Sequence, residues 1–302
     1  MKSNTISTKI KLIGIFFIIL IVVDLIVRLY INQLPRFEVD DRLENVLEGK
    51  INSDIIIIGS SVGARGILAE KITNETQYSA YNLSYPGSDI TFHEFVLKTY
   101  LTKNIPPQKI ILTVDEVIFK EDRSLKFRLD RCYPLLKYTT IKKIIAEKEQ
   151  KNEWLAKYSS LYMINKSMIK TSKKKHTKYD TLLPNGSMPL TFQKKAINQK
   201  LKQGKPYSIN NEVKGKLTAF KNIVALANMH NIELIMVIPP QYKIINASFV
   251  SRLKESYQGK YVYIDGQDNI FQDKNLFSDK AHLNKKGAVL FTNELIKELK
   301  LQ

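Results

Sequence analysis

Leu12–Ile31 reads LIGIFFIILIVVDLIVRLYI, twenty residues with one acid and one base among them. No other segment restricts the fold as strongly. A stretch this apolar can satisfy its backbone N–H and C=O groups away from water only as a helix. Twenty helical residues rise about 30 Å, the thickness of a bilayer's hydrocarbon core. Lys2, Lys9 and Lys11 precede the run and no small-x-small cleavage signal follows it. The pattern therefore predicts an uncleaved membrane anchor over 12–31 rather than a signal peptide. Basic residues favour the cytoplasmic side, so residues 1–11 read as a short cytoplasmic tail, with the rest of the chain outside the cytoplasm. Arg28 and Arg36 weaken that asymmetry. The expected location is the cell membrane, crossed once. Asp24 and Arg28 stand four residues apart, on one helix face. They read either as an ion pair at the outer interface or as a contact with a partner membrane helix.

Residues 32–50 are polar with a single proline and read as a linker. The remainder is ordinary globular material, 44% apolar and 25% charged over the 302-residue chain. Cys132 is the only cysteine, so no intrachain disulfide can form. Charge is concentrated: residues 126–205 hold 20 Lys and Arg against 5 Asp and Glu, a surplus of 15 within a net +18. Such a surplus suits anionic lipid headgroups, an anionic polymer or nucleic acid, or simply a solvated face, as at Lys173–Lys175. Nucleic acid is opposed by the membrane span and by the absence of a zinc-finger or RNP signature.

Five short apolar runs read as strands: Asp54–Ile58, Ser79–Leu83, Lys109–Val114, Glu233–Ile238 and Tyr261–Ile264. Helical patterns cover Ile90–Lys103, Glu212–His230 and Lys285–Leu299. Strands alternating with helices predict an α/β fold, an open parallel sheet with helices on both faces. The stretch from about 119 to 208 interrupts that rhythm. It reads as a basic, mainly helical insertion with helices over Leu135–Glu149 and Trp154–Ser172, followed by the loop LLPNGSMPL.

Three blocks carry candidate chemistry. The first strand runs into Gly59-Ser60-Ser61-Val62-Gly63, and the carboxyl end of a strand is where open α/β sheets place their sites. Asn82-Leu83-Ser84-Tyr85-Pro86-Gly87 follows the second strand. Asp279-Lys280-Ala281-His282 precedes the last helix. A serine needs a base to take its proton and a carboxylate to orient that base, and Asp279 and His282 are close enough in sequence to face one site. His282 could otherwise be a plain loop histidine beside the N-cap Asn284. His93, His176 and His230 lack carboxylate or cysteine neighbours at metal spacing, so no metal is expected, and no cofactor motif is present. His93 reads as a packing residue or a lining of the pocket. The G-x-S-x-G spacing also fits an α/β-hydrolase elbow, but that elbow follows several strands rather than the first.

Over roughly 51–115 and 232–302 the chain resembles the SGNH, or GDSL-type, hydrolases, and its Gly-Ser-Ser block is similar to that of membrane-anchored envelope members such as teichoic-acid D-alanylation factors and polysaccharide O-acetylation proteins. The resemblance implies a three-layer α/β/α domain with a flavodoxin-like sheet over 51–302. It implies Ser61 as nucleophile, His282 as base, Asp279 as its carboxylate and Gly87 as an oxyanion-hole glycine beside the Ser61 N–H. Ser60 stands where the family usually has aspartate. Asp115 stands in place of the usual oxyanion-hole asparagine, and an ionised aspartate cannot donate to an oxyanion. Either Asp115 is away from the hole, or the two backbone N–H groups suffice, or the site is impaired. The expected activity is that of a serine esterase or O-acyltransferase on an anionic or neutral envelope glycopolymer, working with a membrane-bound acyltransferase partner. The alternatives are a plain deacetylase and a non-catalytic scaffold or polymer-binding subunit.

Overall fold

Four consecutive isoleucines, Ile55–Ile58, form β1, and each is fully buried. Branched side chains fit a pleated backbone, and a strand covered on both faces needs no polar alternation. The computed structural model describes residues 2–166, 168, 181–191, 206–263 and 270–301. Four further strands, β2 (Ala80–Asn82), β3 (Lys109–Thr113), β4 (Glu233–Ile238) and β5 (Lys260–Tyr263), lie parallel to β1 in the order 2-1-3-4-5. Ile56 lies opposite Tyr81 and Ile110, Ile110 opposite Leu234, and Met236 opposite Tyr261. The chain is thus α/β with a five-stranded parallel sheet, each strand falling within or beside an expected run. Ile264, expected to end the fifth, lies outside the described residues.

The described helices are α1 (Lys2–Gln33), α2 (Arg42–Leu47), α3 (Ser61–Gly66), α4 (Ala69–Glu75), α5 (Ile90–Lys103), α6 (Leu129–Cys132), α7 (Thr139–Lys148), α8 (Glu153–Tyr158), α9 (Lys214–Met229), α10 (Ala247–Ser256) and α11 (Lys285–Glu298). The chain divides into two compact units. One comprises the described residues of 45–128 and 176–302 and holds the sheet; the other comprises those of 1–44 and 129–175.

In the sheet unit, Ile55, Ile57, Ile111, Ile235 and Val237 pack in one core with Phe277, Phe291 and Leu295. The alternate set, Ile56, Ile58, Ile110, Leu112 and Met236, points the other way and is fully buried too. Helix starts are fixed by side-chain caps. Asp89 accepts the N–H groups of Thr91 and Phe92 at 3.1 and 3.2 Å, which starts α5 at the expected residue. Asn284 accepts the Gly287 N–H at 3.0 Å and starts α11. α9 starts at Lys214 rather than Glu212, because the Glu212 carboxylate is taken by Arg252 at 2.8 Å and by Tyr207 at 3.0 Å.

In the other unit, α1 is, among the described residues, the one helix long and apolar enough to cross a membrane. The segment after it is not a loose linker: Leu34 and Leu43 are buried. Arg42, fully buried, pairs with Asp40 at 2.7 Å. Burial pushes the Asp40 carboxyl up, but Arg42 and Arg131 outweigh it and bring it to about 2. Polar spelling hid a packed turn, because the two charges neutralise each other inside it. The expected second helix of the insertion is shorter than its pattern. α8 stops at Tyr158, and the Ser159 hydroxyl and Leu161 N–H both donate to Asp24 at 2.8 Å, drawing the chain off the helical path. Asp24 also lies 3.6 Å from Arg28, one helical turn on. Lys173–Lys175, His176 and the far end of the expected helix lie outside the described residues.

Candidate active site

β1 delivers the chain to the carboxyl edge of the sheet at Gly59, and Ser60 caps the start of α3 in an extended conformation. Ser61 is therefore the first helical residue. Gly59 is required by space as well as by its φ of +157°: a Cβ there would lie 1.8 Å from Thr113 Oγ1. The close approach of β1 and β3 at this point turns the backbone sharply and leaves Ser61 partly exposed.

His282 reaches Ser61 from a tight turn ahead of α11. Asp279 Oδ1 accepts the N–H groups of Ala281 and His282 at 2.9 and 3.0 Å, curling the backbone around its carboxylate. The Tyr242 N–H donates to the Lys280 carbonyl at 2.9 Å and ties this turn to the loop after β4. His282 Nδ1 lies 2.8 and 3.1 Å from the two Asp279 oxygens, and Nε2 lies 2.8 Å from Ser61 Oγ. The simplest proton arrangement has Nδ1–H donating to Asp279 and Nε2 accepting from the Ser61 hydroxyl, leaving the imidazole neutral and oriented. Burial raises the Asp279 carboxyl, but the His282 hydrogen bond and charge and the two N–H groups overcome it and hold it at about 2. The carboxylate is thus ionised at any ordinary pH. His282 and Asp279 side chains remain 22% and 28% exposed, enough for a substrate to reach them. The three residues expected together are hydrogen-bonded in a row.

Gly87 occupies the third position of the turn Tyr85–Ser88, with Pro86 before it, φ +74° and the Ser88 N–H donating to the Tyr85 carbonyl at 3.1 Å. That is type II geometry, which needs glycine at this place. The turn is fixed to the end of β1: the Tyr85 N–H donates to the Gly59 carbonyl at 2.9 Å. Among the described residues neither the Ser61 nor the Gly87 N–H donates to a partner. Asp115 behaves differently from an oxyanion donor. Its carboxylate caps its own turn, accepting the Val117 N–H at 3.2 Å. Burial raises this carboxyl above the usual range despite Val117 and the Lys243 charge, with Asp122 and Glu116 adding to the rise. It lines a narrow pocket shared with Ser60, Ser88, His93 and Thr113. Asp115 thus serves as an acceptor within its own turn.

Several residues support these three from positions whose partners the sequence does not reveal. Asn82, buried at the end of β2, donates to the Gly63 and Ile67 carbonyls at 3.0 and 2.9 Å and holds α3 in place. His93 Nε2 lies 2.8 Å from Ser88 Oγ, whose hydroxyl donates to the Tyr85 carbonyl at 2.6 Å. So the buried His93 buttresses the Gly87 turn. Burial lowers its pKa to about 4, against the opposing charge of Asp89. The LLPNGSMPL loop also belongs here: the Met188 N–H donates to the Ala64 carbonyl at 2.7 Å, and the Lys285 N–H to Leu190 at 2.8 Å. A proline-rich loop beside a helix gives no sequence hint of that placement. Among the described residues no group of three or more His, Cys, Asp or Glu is arranged to hold a metal ion. No model of a known protein family matches the chain, and no curated protein matches it.

Proposed function

We propose that this chain is a membrane-anchored serine esterase or O-acyltransferase of SGNH type that modifies a cell-envelope glycopolymer. The observation that carries the reading is the row Ser61–His282–Asp279, with 2.8 Å at both links. In the reaction the Ser61 oxygen attacks the carbonyl carbon of an acyl ester while its proton passes to His282 Nε2. The Ser61 and Gly87 N–H groups receive the negative charge that develops on the carbonyl oxygen. Collapse expels the alcohol, which takes the proton from His282, and leaves an acyl ester on Ser61. Water or a sugar hydroxyl, deprotonated by His282, then attacks that ester, and the Ser61 oxygen departs with the proton that His282 returns to it. Asp279 keeps the imidazole in its working tautomer and balances the imidazolium charge.

The strand order 2-1-3-4-5 and the burial of both sheet faces favour the three-layer, flavodoxin-like arrangement of that family. The apolar face of α1, exposed along its length, favours insertion in a membrane, with the lysines before it on the cytoplasmic side. The basic stretch and the anchor together favour an acceptor polymer at the cell surface, with the acyl group supplied by a membrane-bound acyltransferase. A non-catalytic scaffold is the second reading, favoured by Asp115, which supplies no amide donor at the family's asparagine position. Turnover of a small activated acyl ester by the detergent-solubilised full chain separates the two. Esterase action requires that Ser61→Ala abolish the rate and Asp279→Asn reduce kcat about 10³–10⁴-fold with little change in KM. A wild-type rate no higher than that of Ser61→Ala favours the scaffold.

A further inference from the structure

α1 is interrupted by charge too early for a simple span. From Lys11 to Asp24 the helix rises only about 20 Å, whereas a hydrocarbon core is about 30 Å thick. If α1 spans a bilayer, Asp24 sits inside the leaflet distal to the N-terminus, not at its edge. The structure shows how a carboxylate is tolerated there: Ser159 and Leu161 donate to it and Arg28 pairs with it. Those partners follow directly on α8, so α8 lies at the same depth.

Three of its side chains suit that depth, with the charged Glu153 and Lys157 exposed beside them. Trp154, Leu155 and Tyr158 are 66%, 38% and 52% exposed, and the Trp154 and Tyr158 rings pack at 5.3 Å. Trp and Tyr are favoured where acyl chains meet headgroups, so α8 would reach from the depth of Asp24 toward that boundary. Between α8 and α1 runs an open groove lined by Phe17, Leu20 and Ile21 and by Asp24 and Arg28. The Arg28 guanidinium donates to the Tyr158 carbonyl at 3.2 Å and remains half-exposed, with N–H groups to spare. Lys142 approaches the same place: its ammonium lies 3.5 Å from the Lys157 carbonyl. Burial and the Arg28 charge both lower the Lys142 pKa. Two cations thus crowd one carboxylate, an arrangement that a phosphate would relieve.

We propose that α8 enters the distal leaflet and that its groove with α1 seats an anionic phospholipid, acyl chains on Phe17, Leu20 and Ile21 and phosphate against Arg28 and Lys142. The inference rests on the reading of α1 as a membrane anchor and deepens it. The chain has one tryptophan, so Trp154 is its own probe. The full chain is reconstituted in vesicles of phosphatidylcholine and phosphatidylglycerol, with bromines on the acyl chains of one lipid or the other. At equal mole fraction, brominated phosphatidylglycerol should quench Trp154 at least about twofold more than brominated phosphatidylcholine, since local lipid selection of 5-fold or more is typical of a coupling near 1 kcal/mol. The preference should vanish in Arg28→Gln and in Lys142→Gln; the second variant keeps the Asp24–Arg28 pair intact. Protein that floats with the vesicles but shows no quenching, or equal quenching by both lipids, overturns the inference and leaves the anchor standing. Protein that does not float with vesicles overturns the anchor, and the lipid site with it.

Discussion

His93 and Asp279 hold ordinary residue types in opposite electrostatic settings, and each setting has a measurable consequence. Asp279 is kept ionised by His282 and two N–H groups, so its titration cannot limit activity above about pH 2. His93 is kept neutral by burial, with its pKa brought down to about 4. An unfolded histidine titrates near ~6.5. Between these values the unfolded chain binds the proton and the folded chain does not, so stability falls as pH falls. The contribution is fully present above about 6.5 and is lost through about 4, in total roughly 3 kcal/mol. Denaturant unfolding of the solubilised chain from pH 7.5 to 4.5 should show this slope. His93→Gln retains a donor for Ser88 Oγ but cannot titrate, and its stability should vary less over that range. Parallel profiles for the two proteins would remove His93 from the account.

At the scale of elements, the junction of β1 with α3 is decided by one contact. A methyl group on Gly59 meets Thr113 Oγ1 at 1.8 Å, and the φ of +157° is poorly suited to any side chain. Gly59→Ala should therefore cost at least about 2 kcal/mol. Thr113→Ala in the same chain should recover part of that loss, since it removes the oxygen; thermal unfolding of the single and double variants measures the coupling. Equal losses with and without Thr113 would mean that backbone strain alone is responsible. This junction was legible in the sequence because DIIII ends in Gly-Ser-Ser, an apolar run meeting a turn. The cap at Asn284 made the start of α11 legible in the same way, while α5 was legible from its helical pattern. Other elements were not. The reason α8 ends at Tyr158 lies in Asp24, 135 residues away from Ser159. The packed turn at 34–43 reads as polar because Asp40 and Arg42 cancel within it. His93 and Asn82 look like incidental polar residues until the fold brings Ser88 and Gly63 beside them. Local pattern fixes strands and helix starts, while contacts distant in sequence fix where helices stop and which polar groups are buried.

At the scale of the whole molecule, two features define what the chain can do. One is an N-terminal helix long and apolar enough to cross a membrane, most of whose apolar side chains are exposed. The other is a five-stranded parallel sheet with Ser61, His282 and Asp279 at its carboxyl edge. The basic surplus between 126 and 205 is spread over both units' segments and over residues outside the described ones, so its role rests on the sequence. The central claim is that Ser61 is an activated nucleophile. Its most direct test is covalent labelling of the detergent-solubilised full chain with a small fluorophosphonate, with the modified peptide located by mass spectrometry. The account predicts a single adduct on Ser61, absent in Ser61→Ala and formed far more slowly in His282→Ala. A folded wild-type chain that stays unlabelled at Ser61, or that labels equally fast without His282, would contradict it.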